Sequence, residues 1–155
     1  MNPLPKFPWR ILLCSLLLWL FAARLGAAER APQGVQVRIG TILASNESED
    51  FDPKLSRMKN QLEVIKYSSY RLIKEESQRV GWRSNAVFEI PGGRSLVVVP
   101  QEYRNQRLAL KVRLIEGEKP LLDTTVRLRN RGYFLLGGPA HEGGVLILSI
   151  SAMTP

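Results

Sequence analysis

One cysteine and one histidine are all that this chain of 155 residues contains of either type. Cys14 lies within an N-terminal apolar run, where it counts as one more small apolar side chain. Leu12 and Leu13 precede it and further apolar residues follow, so it does not sit where a lipoprotein signal places its cysteine. Past that run there is no cysteine. This excludes disulfides, a thiol nucleophile and a zinc–thiolate site from the remainder of the chain. The lone His141 lies in the Gly-rich stretch Gly137–Gly144, read here as a loop, with no acid–base partner fixed by spacing. Neither a nucleophile elbow nor a Ser-His-Asp set can be assembled. Aromatic residues make up only 8% and do not interleave with the basic ones, which disfavours single-stranded nucleic acid as a partner. Three Gly-Gly pairs occur, none followed by Lys-Ser or Lys-Thr, so no phosphate loop is indicated and turn geometry accounts for them. Repeats and low-complexity tracts are also lacking. The expectation is therefore no catalytic residues, no cofactor, no metal and no nucleic acid.

The N-terminus reads as targeting rather than fold. Lys6 and Arg10 precede an uncharged apolar run from Ile11 to Ala23, and the small residues Gly26 and Ala28 stand before Glu29. That is the layout of a signal peptide over residues 1–28, with cleavage before Glu29. The run is shorter than the roughly 20 residues that span a bilayer. The expected location is periplasmic or secreted. The alternative is an inner-membrane anchor through an uncleaved N-terminal helix, the one way a membrane enters. Cleavage removes Lys6, Arg10 and Arg24 and no acid, so the net charge falls from +8 to +5 (22 − 3 − 14). Some of the basicity is targeting chemistry. The remainder points to anionic partners or serves solubility.

After a flexible lead at 29–34, the residues from 35 to 152 read as one β-rich domain. Val35, Val37 and Ile39 alternate as a first strand, which ends in the acidic loop Ser45–Asp52. Glu47, Glu49, Asp50 and Asp52 cluster there, but the calcium-loop spacing is absent. Asn46-Glu47-Ser48 matches the N-glycosylation pattern, which matters only in a glycosylating pathway. Asp52-Pro53 is a helix start, and Leu55, Met58, Leu62 and Ile65 predict a helix over 53–65 that covers one face of a sheet. Strands follow from Tyr67, from Asn85 and from Arg94. Leu96–Val99 is apolar on both faces, hence central, and Pro100 limits that strand. A strand from Tyr133 to Leu136 and another from Val145 to Ser151 close the domain. The fold class is α+β: a mostly antiparallel β-sheet meander, a small sandwich or half-barrel, of about 7–8 strands with one covering helix, preceded by the signal peptide.

The strongest pattern is the hairpin from Arg107 to Leu128. Leu108, Leu110, Val112 and Leu114 alternate with Arg107, Ala109, Lys111 and Arg113; beyond the bend at Glu116–Pro120, Thr124, Val126 and Leu128 alternate with Thr125, Arg127 and Arg129. Period-2 alternation gives one oily and one basic face. In a simple register Lys111, Arg113, Arg127 and Arg129 share an exposed face, the candidate binding site. Like charges facing one another are mildly destabilising, so either acids such as Glu102 or Glu116 neutralise them or an outside anion does. A solvated face that discourages edge-to-edge association explains the same pattern.

Residues Leu122-Asp-Thr-Thr-Val-Arg-Leu-Arg-Asn-Arg-Gly-Tyr-Phe-Leu-Leu-Gly-Gly138 resemble a hairpin of secretins, the outer-membrane channels of secretion and pilus systems. A Thr-rich strand, a Gly turn, an apolar strand and Gly-Gly recur there in this order. The likeness covers residues 122–138 of 155 and includes no pore-forming region. It implies an accessory or secretin-like β-domain and carries over no functional residues. The overall layout is similar to that of small exported proteins of Gram-negative bacteria. The functional expectation is a non-enzymatic envelope binding or assembly module. It would engage an envelope protein or anionic envelope component through the basic face. Two alternatives are a small periplasmic hydrolase using His141 with Glu142 or Asp123, and a self-assembling structural component.

Overall fold

Strict alternation of apolar and polar residues sorts most of the chain into strands. The computed structural model describes residues 34–155; the signal-peptide segment 1–28 and nearly all of the lead at 29–34 lie outside the described residues. The described residues form eight strands: β1 (Val35–Ser45), β2 (Ser69–Val80), β3 (Ala86–Ile90), β4 (Arg94–Arg104), β5 (Arg107–Glu116), β6 (Lys119–Arg129), β7 (Tyr133–His141) and β8 (Gly144–Met153). They form two four-stranded sheets, β2-β1-β8-β7 and β3-β4-β5-β6, with every neighbouring pair antiparallel. The sheet-rich α+β fold is thus a sandwich. Its meander is interrupted twice, where β2 passes to β3 and β6 to β7 in the other sheet, and β1 stands between β2 and β8 instead of at an edge.

The inner faces interdigitate. Ile39, Leu148 and Ile150 of the first sheet pack with Phe88, Leu96 and Leu110 of the second, all nearly free of solvent contact. Burial of such side chains stabilises by about 1.5–3 kcal/mol each. In β1 the alternation Val35, Val37, Ile39 gives way to Thr41-Ile42-Leu43-Ala44, buried on both faces. The cause is a partial third layer. Leu55 and Leu62 of the helical segment cover Ile42, Ala44, Tyr70 and Ile147 on the outer face of the first sheet.

That helical segment is shorter and tighter than the predicted helix over 53–65. It consists of a 3-10 stretch, Pro53–Met58, and one α turn, α1 (Lys59–Leu62). Asp52 caps it as expected, accepting from Lys54 N at 2.9 Å, while its other carboxylate oxygen accepts from Leu72 N at 3.2 Å on β2. The spacing of three between Leu55 and Met58 suits a 3-10 turn as well as an α-helix. At the far end the Tyr70 hydroxyl lies 2.6 Å from the Leu62 carbonyl and 2.9 Å from that of Ile65, taking over the acceptors where the helix stops.

Two further expectations are corrected. Pro100 does not end β4. It pairs in register with Leu110, a bulge absorbs Gln101, and the strand continues to Arg104. Proline is tolerated there because β3 does not extend beyond the pairing of Ala86 with Val98, so the missing N–H faces no ladder. Residues 137–144 are not a loop either. β7 runs through Gly137-Gly138-Pro139 to His141 with an irregularity between Gly137 and Ala140, and Glu142-Gly143 makes a tight turn into β8. The glycines permit close backbone approach. A Cβ at Gly144 would stand 2.3 Å from the Ala44 carbonyl oxygen.

The chain crosses between sheets twice, at 81–85 and at 130–132. The second crossing is pinned. Asn130 Nδ2 donates to the Thr154 carbonyl at 3.1 Å, its Oδ1 accepts from Thr154 N at 3.0 Å, and Arg131 N donates to the Ala152 carbonyl at 3.0 Å. Thr154 is buried. Asn130→Ala leaves its buried backbone groups unpaired and is expected to lower stability by about 1–3 kcal/mol. Urea denaturation followed by circular dichroism measures this.

Candidate functional site

The register of β4, β5 and β6 decides which basic side chains meet. On the outer face of the second sheet, cross-strand rows run Val97–Arg113–Asp123, Val99–Lys111–Thr125, Glu102–Ala109–Arg127 and Arg104–Arg107–Arg129. Lys111, Arg113, Arg127 and Arg129 therefore belong to one face, but they fall into two unlike pairs. Asp123 stands 3.4 Å from Arg113 and 3.8 Å from Lys111, so these two cations share one carboxylate. Their aliphatic stems lie beside the half-buried Val97 and Val99, which gives them a packing role as well.

Arg127 and Arg129 have no such partner. Among the described residues no carboxylate comes within 4.0 Å of Arg104, Arg107, Arg127, Arg129 or Arg131. The two acids expected to neutralise the face do other things. Glu116 pairs with Arg94 at 2.8 Å near the opposite end of the strands, and Glu102 approaches none of the arginines within that distance. Asp123 is the neutralising acid, and it serves only Lys111 and Arg113.

Two turns gather the unpaired arginines. Asn105 and Gln106 both take positive φ (51° and 61°), as a two-residue hairpin turn of type I′ requires, which sets Arg104 directly opposite Arg107. The Gln106 carbonyl then accepts from Asn130 N at 3.0 Å, drawing this turn against the β6–β7 crossing. Arg131 (φ 67°) stands at the tip of that crossing. A groove of about 400 Å³ opens at this corner, lined among others by Arg57, Arg107, Arg127, Arg129 and Arg131. Arg57 arrives from the helical segment. The Tyr133 hydroxyl holds it there, bonding to Gln61 Oε1 and lying 3.1 Å from the Arg57 carbonyl. No family model matches the chain, and no curated protein or solved structure matches it.

The remaining candidates lie elsewhere. His141 ends β7, mostly shielded, with Glu142 at 3.7 Å, whereas Asp123 is committed to Lys111 and Arg113 on the other sheet. Of the two acids considered as partners for His141, Glu142 stands beside it and Asp123 does not. In the acidic loop Glu47, Glu49 and Asp50 are exposed and Asp52 is the helix cap; no group of three or more potential metal ligands occurs among the described residues. Residues 122–138 do not form a hairpin ladder, since β6 edges one sheet and β7 the other.

Alternation put Arg107 on the basic face but outside the expected site, and Arg104 was not anticipated, although strand parity across the Asn105-Gln106 turn marks both as outward. Arg57 and Arg131 carry no such signal, because only tertiary packing brings them to this corner. Three arginines in one row oppose folding, since like charges directly opposite are destabilising. Arg107→Thr is expected to raise stability by about 0.2–1 kcal/mol at low salt. The gain should shrink as the screening length falls from about 30 Å at 0.01 M to about 8 Å at 0.15 M. Urea titrations at the two ionic strengths check it.

Proposed function

We propose that this chain is a non-enzymatic, exported binding or assembly module of the cell envelope that engages an acidic partner or anionic envelope component through its basic sheet face. The observation that carries this reading is the row Arg104–Arg107–Arg129, backed by Arg127, with no carboxylate within 4.0 Å among the described residues. Exposed arginines on a sheet commonly sit beside acids, as Arg113 does here. An uncompensated row tolerates repulsion that a single acidic substitution would remove, and an external anion supplies the missing charge when bound. Arginine suits the task, because its planar fork meets carboxylate, sulfate or phosphate oxygens in pairs.

The N-terminal segment 1–28 directs export in this reading. Among the described residues no helix is long and apolar enough to cross a membrane. Residues 122–138, whose sequence resembles a secretin hairpin, run along β6 and into β7. They contribute Arg127, Arg129 and Arg131 to the corner, and a role accessory to a secretion or pilus complex would use that corner as its contact.

Charge-matched variants separate a site from mere net charge. Arg107→Ala/Arg129→Ala removes two charges from the row, and Arg71→Ala/Arg79→Ala removes two from exposed positions of β2. Co-sedimentation with isolated cell envelopes is expected to weaken at least about tenfold in the first variant and to persist in the second. Added salt should weaken binding of the unaltered chain. Equal loss in both variants reduces the effect to bulk charge and sinks the proposal.

A further inference from the structure

The basic surface does not stop at the sheet. Arg131 and Arg57 line the corner groove together with Arg107 and Arg129, and the same two arginines also line a second groove of about 440 Å³ on the outer face of the first sheet. That second groove runs beneath the 3-10 stretch and adds Arg38 and Lys54, with Ser149 and Ser151 of β8 in its lining. Its one acid is Glu75, 3.8 Å from Arg38. Lys54, Arg57 and Arg131 have no carboxylate within 4.0 Å among the described residues. Positive charge therefore runs as one belt from Arg104 on the second sheet, over the β6–β7 edge at Arg131, to Lys54 and Arg38 on the first.

The belt's shape selects its occupant. The outer faces of a sandwich look in opposite directions, across two sheets roughly 10 Å apart. A flat bilayer can touch one face and the edge but not both faces, and a stiff duplex has the same difficulty. A flexible linear polyanion can follow the whole path. Neutral hydrogen-bonding groups are interspersed along it: Asn105 and Gln106 at one end, Gln61 at the corner, Ser151 at the other. Such groups suit hydroxyl-bearing rings. Two rings line the path, the exposed Tyr103 at the Asn105–Gln106 end and Tyr133 at the corner, its hydroxyl already bonded to Gln61, which is too few for successive bases to stack. Resting on the binding-module reading above, we infer that the partner is a linear anionic polysaccharide that wraps the β6–β7 edge and contacts both outer faces.

The chain from Glu29 to Pro155 is titrated by calorimetry with long-chain heparin as the polysaccharide probe and with its tetrasaccharide. Two double variants divide the belt: Arg107→Ala/Arg127→Ala on the second sheet, and Arg57→Gln/Arg131→Asn at the edge and first sheet. Asparagine is used at position 131 because it tolerates the positive φ there. Thermal unfolding confirms that each variant folds; if Arg57→Gln/Arg131→Asn does not, Lys54→Gln/Arg38→Gln replaces it. The long chain should bind more tightly than the tetrasaccharide. Each variant should weaken the long chain about tenfold and flatten its salt dependence, as expected when fewer counterions are released. If only the second-sheet variant weakens binding, wrapping is wrong while the basic-face reading stands. If neither variant alters binding, both fail. Tighter binding to polyglutamate, to a single-stranded oligodeoxynucleotide or to phosphatidylglycerol vesicles than to long heparin overturns the polysaccharide assignment.

Discussion

Strand parity in β5 and β6 is the constraint on which the rest depends. Leu108, Leu110, Val112 and Leu114 face inward opposite Leu128, Val126, Thr124 and Leu122, and most of them are nearly free of solvent contact. Because side chains alternate with a period of two, a slip of one residue would turn Arg107, Lys111 and Arg113 into the core. The cost of burying unpaired guanidinium groups excludes that register. Core packing thus fixes, as a by-product, which cations stand together outside. The basic rows are where they are because the leucines and valines behind them must meet Phe88, Leu96 and Leu148.

The corner arises from a second constraint, closure of the sandwich. β6 and β7 belong to different sheets, so the chain has to cross the open edge in three residues. Asn130 clamps Thr154, Arg131 takes a positive φ, and the Gln106 carbonyl ties the neighbouring hairpin turn to the crossing. The same hydrogen bonds that close the edge press Arg107, Arg129 and Arg131 together. The Tyr133–Gln61 contact does likewise for Arg57. Repulsion among these side chains is offset by a well-satisfied backbone and a packed core.

Much of this was legible in the sequence, and the limits have physical causes. Alternation located β5 and β6 and their shared basic face, since a half-buried strand writes its orientation into every second residue. Asp52-Pro53 marked the helix start, and the apolar run Leu96–Val99 marked an interior strand. Proline and glycine misled. Pro100 and Gly137–Gly144 read as breaks, yet a bulge and close backbone approach keep both stretches within strands. Charge compensation was legible only in kind. That Asp123 neutralises Lys111 and Arg113 while Arg127 and Arg129 go unpaired depends on register at single-residue resolution. The arrival of Arg57 and Arg131 depends on tertiary packing, which leaves no local signature.

The central claim is that the unneutralised arginines, and not the whole basic face, form the contact surface. Backbone amide chemical-shift mapping during titration with a long anionic polysaccharide tests it most directly. The account predicts shifts concentrated at Arg104–Arg107 and Arg127–Tyr133, extending to Lys54–Met58, with little change at Lys111–Arg113 and Asp123, and reversal of the shifts by salt. Shifts centred on Lys111, Arg113 and Asp123, or spread evenly over all exposed lysines and arginines, would contradict it.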